Sequence, residues 1–404
     1  MERLNKISSS SLLPKGRSGF ESLRKSDQIY VDKTEMINAI ASCNGAFFLT
    51  RPRRFGKTLL VNTFESLFRH GLEYFKGLTI EQEWKETRCY PVLHLDFSDC
   101  RSFNSFAEFS AKFASMLCQG AKNLGKTLVE IDGKRIKNVI DQYNDMFDCL
   151  DLNSLVILID EYDAPLTACM DDQKLFDKVA SLLSEFYDRL KKFNPKFRFL
   201  FITGICRFQN LGLFSGANNL TDLSMDQAYG TLLGYTEKEI RQYFSPYVER
   251  NAEFLGLSFD ECLLQMKRHY DGFCFDEDGA THVFNPWSVL SFLAKATPKF
   301  ENFWYETAGN ATVLLNYLKS HSLKDPSDYG KDQIVSKNEL ASCRSLSELN
   351  DVALLILTGY LTIKEKLSDR VFLVNYPNEE TVSSMVQLYG GKFCFQERNV
   401  VLRQ

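Results

Sequence analysis

The stretch from Gly45 to Leu60 reads G-A-F-F-L-T-R-P-R-R-F-G-K-T-L-L, and its interpretation sets the fold. The apolar run Ala46–Leu49 has the character of a buried strand. It passes into an arginine-rich turn and then into Gly56-Lys57-Thr58 at the head of a helix. Strand, tight loop and helix joined at G-K-T is the layout of a phosphate-binding loop. There main-chain N–H groups and the helix N-terminus hold a β-phosphate, the lysine reaches the β- and γ-phosphates, and the threonine ligates Mg²⁺. The full G-x-x-x-x-G-K pattern asks for glycine where Arg51 stands.

A second anchor lies in S-L-V-I-L-I-D-E-Y-D, residues 154–163. The continuous Leu, Ile and Val run to Ile159 is that of a strand buried on both faces, and therefore of a parallel sheet. It delivers Asp160 and Glu161 at its carboxyl end. A Mg²⁺-dependent nucleotide hydrolase needs that pair, Asp160 to hold the metal with Thr58 and Glu161 to polarise the attacking water. Two acidic residues merely ending a strand is the bland reading. Their co-occurrence with G-K-T about a hundred residues upstream favours the functional one. Phe197–Thr203 is a further apolar strand, and Thr203 at its end stands where such folds place a polar sensor of the γ-phosphate. Two readings stand for Arg207, an in-cis arginine that stabilises transition-state charge or a surface residue. Arg53 and Arg54 likewise either line the phosphate site or face solvent.

Working outward, Pro91–Phe97 reads as a strand, and helical patterns cover Phe106–Cys118, Ile136–Leu150 and Lys174–Lys191. A helix over Met36–Ile40 is capped by Asp32-Lys33-Thr34. Strands alternating with helices predict a doubly wound α/β domain with its ligand at the carboxyl ends of the strands. From Thr236 the pattern turns helical (T-E-K-E-I, Ala252–His269, Trp287–Leu293). A helix over Leu346–Leu357 and two strands, Tyr360–Lys364 and Arg370–Val374, suggest a winged-helix-like unit. The expected organisation is a P-loop domain over 1–235 with an irregular lead-in, a helical lid over 236–330, a winged-helix-like unit over 331–380 and a short tail over 381–404.

The chain has 404 residues, more than one ordinary core accommodates. At 44% hydrophobic and 25% charged residues it has the composition of a soluble globular protein. A net charge of −4 supplies no global attraction to nucleic acid. The 11 cysteines are odd in number and lack a C-x-x-C pair, which suits a reduced compartment better than a disulfide framework or a zinc site. With 5 histidines, widely spaced, a histidine metal centre is not expected. No signal-like or membrane-spanning run is visible, so the expectation is a cytoplasmic protein without membrane contact. No G-x-S-x-G elbow suggests acyl transfer. The acidic pairs Glu83/Glu86 and Asp145/Asp148 read as solvated helix faces, and His94 as a hydrogen-bonded strand residue.

The string L-P-K-G-R-S-G-F-E-S-L-R-K-S-D-Q-I-Y-V-D-K-T-E-M-I (13–37) resembles the N-terminus of the bacterial AAA-ATPase-like family, predicted ATP-binding proteins. R-P-R-R-F-G-K-T, L-D-F-S (95–98), I-D-E-Y-D, I-T-G-I-C-R-F, N-N-L-T-D-L-S (218–224) and L-G-Y-T-E-K-E-I (233–240) resemble it in the same order. So do Y-D-G-F-C-F (270–275), F-N-P-W-S (284–288) and L-T-G-Y-L-T (357–362). The resemblance spans about residues 12–380 and includes Arg51, since the family's loop typically carries R-P-R-R-F-G-K. It implies an AAA/ASCE-type P-loop NTPase. It implies ATP at Gly56, Lys57 and Thr58, and the expected binding site adds their loop neighbours Arg51, Arg53, Arg54, Phe55 and Leu59, with Mg²⁺ at Thr58 and Asp160. Lys57, Glu161, Thr203 and Arg207 would serve catalysis, although the family commonly has Lys at the place of Arg207. Members often continue into a PD-(D/E)XK nuclease. After N-Y-P-N-E-E (375–380) no acidic–x–Lys arrangement follows, so no nuclease site is carried over.

The expected function is an ATP-binding protein, a slow or partner-stimulated ATPase acting as a conformational switch. The alternatives are a non-hydrolysing interaction module that docks an unidentified protein partner, and a nucleic-acid-directed protein.

Overall fold

The computed structural model describes residues 12–128, 135–208, 220–304, 324–337 and 351–401, together with Leu314, Tyr317 and Leu340. Two short helices, α1 (Phe20–Lys25) and α2 (Thr34–Ala41), lead into β1 (Gly45–Thr50). Asp32 starts α2 as expected, its Oδ1 accepting from Thr34 N at 2.9 Å and Thr34 Oγ1 at 2.6 Å. Then follow α3 (Lys57–His70), the single turn α4 (Ile80–Glu83), β2 (Val92–Asp96), α5 (Phe106–Asn123) and α6 (Arg135–Asp148). The half closes with β3 (Leu155–Asp160), α7 (Ala164–Ala168), α8 (Gln173–Lys192), β4 (Phe197–Gly204) and β5 (Leu220–Asp222).

The five strands form one sheet in the order β2-β3-β4-β1-β5, and every pairing is parallel. The side-chain period of two explains why both faces must be covered. On β1, Ala46 and Phe48 enter one apolar cluster with α5, α6 and α8, while Phe47 and Leu49 enter the opposite cluster with α1, α2 and α3. On β3, Ile157 and Ile159 join the first cluster, and Val156 and Leu158 the second. This is a doubly wound, parallel α/β sheet. With β4 inserted between β1 and β3, the phosphate-loop strand and the acidic strand flank the strand that carries Thr203. Strand β5 was not foreseen, because three half-exposed residues carry no readable periodicity.

Beyond the sheet come α9 (Glu237–Tyr243), α10 (Ser245–Leu255), α11 (Phe259–Tyr270), a two-residue pair β6 (Phe273–Cys274) and β7 (His282–Val283), and α12 (Pro286–Ala294). The single helix expected over Ala252–His269 is two. Gly256 ends α10 in the left-handed region at φ 68°, and a capping box between Ser258 and Glu261 starts α11 afresh. The chain continues as α13 (Pro326–Tyr329), β8 (Gln333–Ser336), α14 (Asp351–Thr358), β9 (Thr362–Ser368), β10 (Val371–Asn375) and α15 (Glu379–Val401). The expected hairpin gains a third antiparallel strand, β8, on the far side of β10. The segment expected as a short tail is helical through Val401. Of the helix expected over Leu346–Leu357, residues 346–350 lie outside the described residues, as do 218–219 of N-N-L-T-D-L-S and 1–11 of the lead-in.

Leu355, Ile363, Phe372 and Met385 belong to the same apolar cluster as Leu93 and Ile157 of the sheet. Each such fully buried side chain contributes roughly 1.5–3 kcal/mol. The later elements are therefore packed on the sheet that carries the loop. Among the described residues no helix is long and apolar enough to cross a membrane.

Candidate functional site

Strand β1 ends at Thr50, and the chain turns through Arg51–Gly56 before α3 begins at Lys57. Gly56 adopts φ 96°. The nearest atom to a Cβ placed there is 3.9 Å away, so backbone conformation rather than space demands glycine. Arg54 is also left-handed, at φ 70°, a conformation that costs a non-glycine residue about 1 kcal/mol or more. Its guanidinium lies 4.5 Å from the centre of the Trp287 ring. The first-turn N–H groups of α3, at Lys57, Thr58 and Leu59, have no intrahelical acceptors, the feature by which helix N-termini attract anions. Lys57 is buried, and its ammonium donates to Arg51 O at 2.8 Å and Pro52 O at 3.0 Å. Two of its three donors thus brace the loop. Burial lowers Lys57 to about 8, against the opposing pull of Glu161 and Asp160.

The acidic strand meets the loop directly. Thr58 Oγ1 donates to Asp160 Oδ2 at 2.7 Å, across 102 positions of sequence. Burial pushes Asp160 up to about 6, partly offset by the Thr58 hydrogen bond, so the carboxylate is mostly ionised at neutral pH. Glu161 follows at φ 53°. Arg101 grips it with both arms, Nε donating to Oε2 at 2.6 Å and Nη2 to Oε1. Burial alone would raise Glu161. Arg101, assisted by Lys57 and Arg53, instead holds it below the ordinary carboxylate value. Arg101 was not anticipated, although L-D-F-S carries the signal. Asp96 Oδ1 accepts from Ser98 N at 2.8 Å, and Arg101 N bonds Ser98 O at 3.3 Å, which sets the turn that delivers the guanidinium.

A cavity of about 470 Å³ opens over the loop, within the range of small-molecule sites. Its cationic and polar lining includes Arg17, Lys33, Arg53, Arg54, Lys57, Thr58 and Arg101, and Glu161 is the one carboxylate among its described lining residues. Apolar side chains line it too, among them Ile29, Val31, Leu232, Leu233 and Leu290. Pro14, Gly16, Tyr30, Tyr235, Pro286 and Trp287 are also part of the wall. Segments that looked unrelated in sequence, L-P-K-G-R-S, Q-I-Y-V-D-K, L-G-Y-T and F-N-P-W-S, therefore converge here. A salt bridge of 2.5 Å between Lys33 and Glu239 joins the second of these segments to the helix that follows the third.

Of the expected site residues, Arg53, Arg54, Phe55, Gly56, Lys57, Thr58, Leu59 and Glu161 line this cavity, and Asp160 is bonded to one of them. Phe55 is anchored in the core, edge-on to Phe273 at 4.9 Å and Phe275 at 5.0 Å. Thr203 is fully buried on β4, and its hydroxyl has no hydrogen-bond partner among the described residues. An orphaned buried hydroxyl costs about 1–3 kcal/mol and calls for a functional reason.

The structure does not bring Arg51, Thr203 or Arg207 into the lining of this cavity. Arg51 is 1% exposed, and its guanidinium turns the other way. It donates to Thr50 O at 2.9 Å, Ser224 O at 2.6 Å and Tyr229 O at 3.1 Å, and lies 4.4 Å from the Phe275 ring centre. Burial lowers it to about 9. Its φ is not positive, so the loop runs through this position without needing glycine. Arg207 pairs with Asp222 at 2.6 Å, and with Arg51 it lines a separate cavity of about 580 Å³ behind the loop.

A family model described as "Predicted AAA-ATPase" matches residues 14–214. A protein of Azotobacter chroococcum mcd 1, described as an uncharacterized protein in the vnfD 5'region, is 29% identical over 378 residues, which is 92% of this chain and 69% of that protein. A Walker-type ATPase of Pyrococcus abyssi overlaps 94% of this chain and 99% of its own at 11% identity with a TM-score of 0.36, too slight a likeness to carry an argument.

Proposed function

Residues 14–214 belong to the AAA-ATPase-like family, and from that premise we propose that the chain binds ATP with Mg²⁺ in the cavity over Gly56–Leu59 and hydrolyses it slowly, as a conformational switch. The observation that carries the reading is the Thr58–Asp160 hydrogen bond of 2.7 Å, which unites the phosphate loop and the acidic strand beside Lys57 and Glu161. The cationic side chains of its lining suit a triphosphate, and the apolar ones suit a purine ring. Thr58 Oγ1 and the Asp160 carboxylate are hard oxygen donors of the kind Mg²⁺ takes alongside phosphate oxygens and water. Among the described residues no group of three or more His, Cys, Asp or Glu could hold a metal without the nucleotide. When bound, the ion would supply neutralisation of charge on the β- and γ-phosphoryl oxygens.

The chain's own residues divide the remaining work. Lys57 and the first-turn N–H groups of α3 bind the phosphates, Glu161 orients and deprotonates the attacking water, and the Thr203 hydroxyl reads the γ-phosphate from β4. The grip of Arg101 on Glu161 makes basal turnover slow, because the carboxylate must exchange its guanidinium for water before it acts. Isothermal titration and phosphate release for wild type, Lys57→Ala and Glu161→Gln test the reading. The expected result is loss of ATP binding in the first variant, and binding without turnover in the second. Lys57→Ala that binds and hydrolyses ATP like wild type overturns it. A non-hydrolysing module that docks a protein partner is favoured by the same Arg101–Glu161 pair, and predicts ATP binding with no turnover in any variant.

A further inference from the structure

Asp163 lies outside the nucleotide cavity, is 2% exposed and takes no part in the chemistry just described. Its carboxylate is nevertheless committed to one purpose. Oδ2 accepts from Ile205 N at 3.0 Å and from Cys206 N at 2.7 Å, and Oδ1 also accepts from Ile205 N at 3.2 Å. These are the first amides after Thr203-Gly204. The neighbouring residue makes a parallel connection. Tyr162 N donates to Thr203 O at 3.1 Å, and its fully buried hydroxyl donates to Cys206 O at 2.6 Å and accepts from Phe208 N at 3.1 Å. The turn that begins with Glu161 is therefore laced to the segment that begins with Thr203.

Gly204 makes the lacing possible. A Cβ there would stand 2.4 Å from Asp163 Oδ1 and 2.6 Å from the Tyr162 ring, so the requirement is for space. On its other edge, Gly204 O accepts from Arg51 N at 3.2 Å, which ties the same segment to the phosphate loop. A shift of the loop or of Thr203 is thus passed to Glu161 through a few short bonds, in a fully buried region where the alternative to each bond is an unsatisfied polar group.

On the ATPase reading above, we propose that Asp163, assisted by Tyr162, is a positioning residue that locks the γ-phosphate sensor Thr203 to the water-orienting Glu161. The lock makes the two respond to nucleotide as one body. Burial raises the Asp163 carboxyl against the lowering effect of the two amides, and the geometry needs only its accepting oxygen. Because Oδ2 accepts from both amides, asparagine with its oxygen in that place keeps both of those bonds and gives up the longer Oδ1 bond to Ile205 N, whereas alanine keeps none.

The test compares wild type, Asp163→Ala, Asp163→Asn and Tyr162→Phe by ATP and ADP titration and by phosphate release at saturating Mg·ATP. Asp163→Ala is expected to bind ATP within about threefold of wild type, to lose turnover by a factor of about 30 or more, and to lose preference for ATP over ADP. Asp163→Asn is expected to restore most of the turnover, and Tyr162→Phe to fall between, which decides the matter should the alanine variant not fold. Wild-type turnover in Asp163→Ala or Tyr162→Phe overturns the inference. So does loss of affinity and turnover in equal measure, the mark of a merely structural residue. A wild-type chain that binds ATP without hydrolysing it overturns the ATPase reading and this inference with it, whereas failure confined to the variants overturns the inference alone.

Discussion

Replacing Arg101 by alanine is expected to make the protein a faster ATPase. Arg101 holds Glu161 through two parallel hydrogen bonds, with side-chain exposures of 47% and 18%. Exposed ion pairs are typically worth less than about 1 kcal/mol. This one is bidentate and shielded on its carboxylate side, so roughly 1–2 kcal/mol is appropriate. If that contact must break in every turnover, its removal lowers the barrier by the same amount, and kcat rises roughly 5- to 30-fold. The assay is continuous phosphate release at saturating ATP and Mg²⁺, so that any loss of affinity from removing a cation that lines the cavity does not enter. Arg101→Lys, which replaces the fork by a point charge, is expected to lie between wild type and alanine. Adding Glu161→Gln to Arg101→Ala is expected to abolish the gain, since the released group is then an amide. A kcat for Arg101→Ala at or below that of wild type refutes the reasoning, and would mean that Arg101 stabilises the transition state rather than restraining the base.

Three further outcomes are expected. Lys57 loses its proton in the folded chain near 8, below its ordinary value, because it is buried. ATP affinity should therefore be full below about pH 7 and weaken by up to about tenfold per pH unit as pH rises through 8, and Lys57→Arg, which stays charged, should flatten that dependence in titrations across the range. Asp160 is raised to about 6, so its contribution to folding is present below its unfolded value and is lost as pH rises through 6. At neutral pH Asp160→Asn should then stabilise the fold by up to about 3 kcal/mol in denaturant titrations while removing turnover. Restoring the usual glycine with Arg51→Gly should destabilise by about 2–4 kcal/mol, visible as a lowered Tm without a gain in ATP affinity, because three carbonyl contacts and the Phe275 stacking disappear.

The local sequence determined a good deal by itself. Phe47–Leu49, Val156–Ile159 and Phe199–Ile202 are apolar at successive positions, which only a strand covered on both faces can bury, and two of those strands lead on to G-K-T and to D-E, groups of one chemistry. Motif and period are short-range properties, and so are the caps at Asp32, Thr236 and Ser258. What no window of sequence contained was the direction of long side chains. Arg51 and Arg53 look alike as neighbours in one loop. Yet the guanidinium of Arg51 turns into the core, because the carbonyls of Ser224 and Tyr229 wait there, 173 and 178 positions away. Arg207 is drawn to Asp222 at the sheet edge, and Arg101 to Glu161 from a different strand. A buried charge goes where distant backbone and acid can satisfy it, so tertiary packing alone decided which arginines face the phosphate site. It also decided that Asp163, the last letter of I-D-E-Y-D, accepts from the amides of Ile205 and Cys206 just past β4.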